Sequence, residues 1–160
     1  MTWRANGLED ASVDARATIV LVAAAVVLAI VVAPASAQDI GFCKAAEGAA
    51  KDITNKGVTG AQVKAFDIQG GGVSCQYGGT ISGSYIQRIP HVTLVLFKDK
   101  QKQMNGTTVS GFVGWAFLTE GSNGYNSLNV LKGTTQIVIY SKASLSAEKA
   151  AAKAVLPLVH

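Results

Sequence analysis

The chain has 160 residues, 49% of them apolar, with 17 glycines, two cysteines and a net charge of +4, the size of one domain. Frequent glycine and sparse charge suit turns and half-buried strands better than a helical bundle. From residue 38 onward eleven lysines and one arginine stand against four aspartates and three glutamates, a net charge of +5. The lysines are scattered and Arg88 alone offers a bidentate fork, which argues against nucleic acid as a partner.

In chain order the first element is an export signal. Ile19 to Ala33 is an unbroken apolar run, IVLVAAAVVLAIVVA, preceded by Arg16. Pro34 breaks its helix, and Ala35-Ser36-Ala37 supplies the small residues a signal peptidase accepts. The reading is a signal peptide over 1–37, with a long first region, followed by a single exported domain over 38–160. The rival is an uncleaved N-terminal anchor facing outside, but the 17 residues from Ala17 to Ala33 are at the short limit for a span. After cleavage no membrane span remains, and the product is periplasmic or secreted.

Cys43 and Cys75 are the two thiols of the chain. An even pair in a small exported domain is most simply a disulfide. There is no CxxC, and no histidine at ligand spacing, so a redox pair or a metal site fits less well.

Residues 41–55, GFCKAAEGAAKDITN, read as a helix with Phe42, Cys43, Ala46, Ala50 and Ile53 on one face. Val63 to Ile68 reads as a short strand and Gly70-Gly71-Gly72 as a connector without the Lys-Ser/Thr of a phosphate loop. From Val73 the period changes to two, with Val73, Cys75 and Tyr77 opposite Ser74 and Gln76. The run Ile89 to Lys98, IPHVTLVLFK, predicts the strongest strand, and Val109 to Thr119, VSGFVGWAFLT, a central strand covered on both faces. Asn105-Gly106 and Asn123-Gly124 mark turns, and Asn126–Leu131 with Thr134–Tyr140 flank a tight Lys132-Gly133 hairpin. A closing helix, capped by Ser146 and ended by Pro157, carries an apolar stripe through Ala147, Ala150, Ala151, Ala154, Val155 and Leu158. The predicted fold is α+β: an antiparallel meander of four to six strands, an N-terminal and a C-terminal helix on one face, and one disulfide.

Several of these features occur together in a known group. Cys43 at a helix start, Cys75-Gln76-Tyr77 in the first sheet strand, a Gly-Trp-Ala-Phe strand at 114–117, the LNVLKGTTQIVI hairpin at 128–139 and an Ala-rich helix ending in Val155-Leu156-Pro157 form one layout. It resembles the small exported disulfide-containing domains of actinobacterial lipoproteins, and is similar to the extracellular sensor domain of a mycobacterial serine/threonine kinase. The resemblance implies an α+β fold with a disulfide and a binding role, and carries over no catalytic residue. The chain departs from it in having no cysteine after the cleavage site for a lipid anchor and no kinase.

For chemistry, His91 and His160 are the two histidines. A serine triad would need His91, but no Gly-x-Ser-x-Gly elbow is present, and no second ligand stands two or four residues from it. The reading is therefore of a non-enzyme with no catalytic residue, no metal and no cofactor. Its partner is an envelope component or another protein. A ligand surface is expected on the sheet face not covered by helices, near Tyr85, Arg88, His91 and Trp115. The alternatives are a secreted proteinaceous inhibitor of a hydrolase, which a protruding 120–126 loop would favour, and a minimal hydrolase built on His91.

Overall fold

A computed structural model describes residues 37–54, 62–66, 71–78 and 83–159. The apolar run and cleavage motif up to Ser36 lie outside the described residues, as do Gly70 and His160. The elements are α1 (Ala37–Ala45), α2 (Glu47–Ala50), β1 (Gln62–Phe66), β2 (Gly72–Tyr77), β3 (Ser84–Ile89) and α3 (Leu94–Gln103). They continue with β4 (Thr107–Thr108), β5 (Trp115–Glu120), β6 (Asn126–Lys132), β7 (Thr135–Ser141) and α4 (Leu145–Val155).

The strands form one antiparallel sheet in the order β1-β2-β3-β7-β6-β5-β4, six strands of five to seven residues with a two-residue pairing at one edge. The fold is α+β with one disulfide, as the sequence predicts. The meander comes in two runs, β1-β2-β3 and β4-β5-β6-β7, which meet where β3 pairs with β7. The β6–β7 turn is tight: Lys132 faces Thr135, and Gly133 takes a φ of 58°, which a residue without Cβ adopts at little cost.

Alternation along the strands gives the sheet two different faces. Val73, Cys75, Tyr77, Ile86, Ile137 and Ile139 point to one of them and share the main core with α1, α2 and α4. Helix spacing explains the partner side: Phe42, Cys43, Ala46, Ala49, Ala50 and Ile53 recur at three and four residues and all are buried. The alanines of α2 let it lie close against Ala151 and Ala152 of α4. The Cys43–Cys75 disulfide, with Cα atoms 5.4 Å apart, joins α1 to β2. Polar groups on this face tie each helix down. The Tyr77 hydroxyl donates to the Cys43 carbonyl at 2.8 Å and Ser84 to the Ile53 carbonyl at 2.9 Å. Lys132 Nζ donates to the carbonyls of Leu156 and Val159 just beyond α4.

Four local expectations are corrected. The run 89–98 is not one strand: β3 ends at Ile89, and α3 begins at Leu94. Pro90 has no amide hydrogen to continue a ladder, His91 takes a φ of 58°, and Thr93 caps the helix by accepting from the Leu96 amide. The run 109–119 is not a central strand: residues 109–114 bend through Gly111 and Gly114, both at positive φ, and β5 lies next to the sheet edge. Asn105-Gly106 ends α3 and does not join two strands. The closing helix is capped by Ser144, two residues earlier than Ser146, and its inner stripe is Glu148, Ala151, Ala152 and Val155, with Ala150 and Ala154 exposed.

Helix α3 lies on the face opposite the other helices. Phe97 packs on Phe117 with ring centroids 4.9 Å apart, and on Leu131. At Gly106, just beyond the helix, the Phe117 ring occupies the place a Cβ would take, so a larger residue there would displace the ring.

Candidate functional site

On the face carrying α3, Phe97 packs over Phe117 of β5 and Leu131 of β6, while Ser74 and Gln76 of β2 and Gln136 and Val138 of β7 are buried as well. Besides Ile89, Phe117, Leu131 and Val138, this face carries neutral hydrogen-bonding groups: Ser74, Gln76, Gln87, Ser127, Asn129 and Gln136 alternate with the core residues of the same strands. A cavity of about 590 Å³ lies on it, within the range of about 300–1,000 Å³ usual for small-molecule sites. Val138 and the rings of Tyr85 and Tyr140 give its apolar wall, and Ser74, Gln87, Thr119 and Asn129 its polar one. Lys100 and Met104 border it from α3, and Glu120 from the end of β5.

The polar wall is held in place before any ligand arrives. Gln136 Nε2 donates to Asn129 Oδ1 at 2.7 Å, and Asn129 Nδ2 donates in turn to the Ser127 carbonyl at 3.0 Å and hydroxyl at 3.2 Å. Gln87 Nε2 donates to the Ser74 hydroxyl at 3.3 Å. Asn129 and Gln136 are 1% and 2% exposed, so each amide is fixed by its partners in a low-dielectric setting. Tyr140 is set between neighbours, stacked on Tyr125 at 4.8 Å with rings 3° from parallel, and 5.9 Å from Tyr85.

A second cavity, of about 580 Å³, adjoins the first. It shares Gln87, Lys100 and Met104 with it and continues past Ile89, His91, Val92 and Leu96. The two lie side by side at the C-terminal half of α3, with Lys100 on the border between them. Burial lowers the pKa of the Lys100 ammonium. Among the described residues the one ion pair is Arg88 with Asp39, so no carboxylate balances Lys100.

The residues singled out in the sequence divide between the two faces. Tyr85 lines the first cavity and His91 the second. Arg88 is on the other face, where its Nη2 meets Asp39 Oδ1 at 2.8 Å and its guanidinium lies 4.9 Å from the Phe42 ring centroid. There it pins the start of α1 and does not reach the groove. Trp115 shares the groove's face but stands on the far side of α3, 45% exposed, with Lys98 Nζ 4.0 Å above its ring. Cys43 and Cys75 are bonded as expected.

Sequence reasoning missed the amide and hydroxyl wall. Its signal was present: Ser74, Ser127 and Asn129, polar members of the period-two pattern, line the first cavity. Among the described residues, no group of histidines, cysteines and carboxylates is placed to hold a metal ion, and no hydrogen bond or ion pair joins His91 to a serine or carboxylate. Comparison with protein-family models, curated proteins and solved structures finds no match for this chain.

Proposed function

We propose that this is a non-enzymatic binding or sensory module of the cell envelope, exported after removal of residues 1–37, whose ligand lies in the groove on the polar face of the sheet. The observation that carries the reading is the preformed wall of neutral hydrogen-bond donors and acceptors beside two tyrosine rings in a cavity of about 590 Å³. Such a wall orients a bound molecule without supplying a nucleophile or a proton relay. The disulfide supports the compartment, since a cysteine pair joined in this way belongs to an oxidising environment. The face carrying α1, α2 and α4 holds the sheet rigid behind the site.

The test uses the exported protein recovered from an expressing bacterium. Its N-terminal residue should be Gln38, and native mass spectrometry after incubation with an envelope extract should show a retained small molecule. Ser127→Trp, which fills the first cavity from its floor, should abolish retention while the far-ultraviolet spectrum is unchanged. Retention unaltered by that bulk would move the ligand elsewhere and remove the proposal.

A further inference from the structure

We propose that the molecule taken by this groove is an elongated organic anion, with its negative group at Lys100 and apolar arms on either side. The inference rests on the binding reading above and adds the charge and shape of the ligand.

Shape comes from the two cavities lying side by side. Gln87, Lys100 and Met104 border both, so a ligand long enough to enter both must cross Lys100. The arms have matching surfaces. On one side are Tyr85, Val138 and Tyr140, and on the other Ile89, Val92 and Leu96. Met104, an adaptable thioether 44% exposed, lies on the same border.

Charge comes from the lysine. Lys100 borders both cavities, whose polar walls apart from Glu120, Asp99 and His91 are neutral amides and hydroxyls, and burial disfavours its charge. The acidic residues that line the groove are Glu120 at one end and Asp99 on α3, both exposed and neither in ion-pair contact with Lys100. An anion seated there would replace lost hydration with a charge-assisted hydrogen bond. The amide of Gln87, already oriented by Ser74, stands at the same border to receive the remaining oxygens or the adjoining chain. Lys98 and Lys102 are on the same helix but line neither cavity.

Two fluorescent probes that differ chiefly in one sulfonate separate these terms: 8-anilinonaphthalene-1-sulfonate and the uncharged N-phenyl-1-naphthylamine. Each is titrated into the exported protein and into Lys100→Met, Lys100→Arg, Lys102→Met and Ser127→Trp. Lys100→Met should weaken the sulfonate by about tenfold or more and leave the neutral probe within about twofold. Lys100→Arg should restore the sulfonate, Lys102→Met should change neither probe, and Ser127→Trp should exclude both. Should Lys100→Met fail to fold, Lys100→Gln carries the same expectation. Equal losses in Lys100→Met and Lys102→Met would reduce the effect to general surface charge and overturn the proposal. So would binding of both probes, blocked by Ser127→Trp but indifferent to Lys100, and in that case the binding reading survives. If neither probe binds, both readings fall together.

Discussion

Glu148 is a carboxyl group held far from its ordinary state. It is fully buried on the inner stripe of α4; Oε1 accepts from the Ser141 hydroxyl at 2.7 Å, and Oε2 has no hydrogen-bond partner among the described residues. Burial raises its pKa from 4.5 to about 7, and the Ser141 hydrogen bond opposes that rise. A carboxyl group whose pKa is higher in the folded than in the unfolded chain binds more protons when folded. Its stabilising share is therefore complete below about pH 4.5 and is lost as the pH climbs through about 7. The full swing is on the order of 3 kcal/mol. Urea unfolding of the wild type should show stability falling across that window. Glu148→Gln, neutral throughout, should give a flatter profile and exceed the wild type by about 1–3 kcal/mol at pH 8. Parallel profiles for the two proteins would mean that the buried carboxylate ionises without penalty.

At the scale of the element, α3 sets the groove, and a single ring holds it. Leu94, Val95 and Leu96 are 39%, 68% and 50% exposed, whereas Phe97 is 1% exposed. An apolar run of four therefore buries one side chain. Truncating Phe97 to Ala should cost about 3–5 kcal/mol, the usual range for an aromatic removed from a core. Because Phe97 supplies the buried contact between helix and sheet, the loss should be local. Hydrogen exchange should accelerate through Leu94–Gln103 well before β6 and β7, whose ladders are made without α3. A uniform acceleration across the domain would show that α3 is part of one cooperative unit with the sheet. This helix was also the element least visible in the sequence. The pattern Ile-Pro-His-Val-Thr-Leu-Val-Leu-Phe has the β-branched content of a strand, and the helical signals that prevailed, Thr93 as a cap and the polar stretch after Phe97, are weak on their own.

For the whole molecule, the disulfide and the division of faces act together. One face of the sheet is cross-linked and covered by three helices, which leaves the other free to be polar without losing the core. Removing the cross-link as Cys43→Ala/Cys75→Ala should cost about 3–4 kcal/mol by the loop-closure argument for a separation of 32 residues. Denaturation of this variant beside the wild type, both without reductant, measures it. A loss below about 1 kcal/mol would mean that α1 stays docked through Tyr77, Arg88 and its apolar packing without the cross-link.

The residue pattern alone specified the joined cysteines, the period-two strands, the Lys132-Gly133 hairpin, the helical first face through Phe42 and Ile53, and the α+β class. Each of these depends on neighbours close in sequence or, for Cys43 and Cys75, on there being no other thiol. What surrounds a side chain on its far side is set by elements distant in the chain. Arg88 and Tyr85, three residues apart on β3, point to opposite faces by alternation alone, but that Arg88 meets Asp39 at the start of α1 and Tyr85 a cavity wall is set by packing. Glu148 lies in an alanine stripe that gave no warning of a buried carboxylate, because Ser141 reaches it only once β7 and α4 pack together. The groove likewise exists because α3 crosses the polar face between β3 and the far edge of the sheet, a path that no local period encodes.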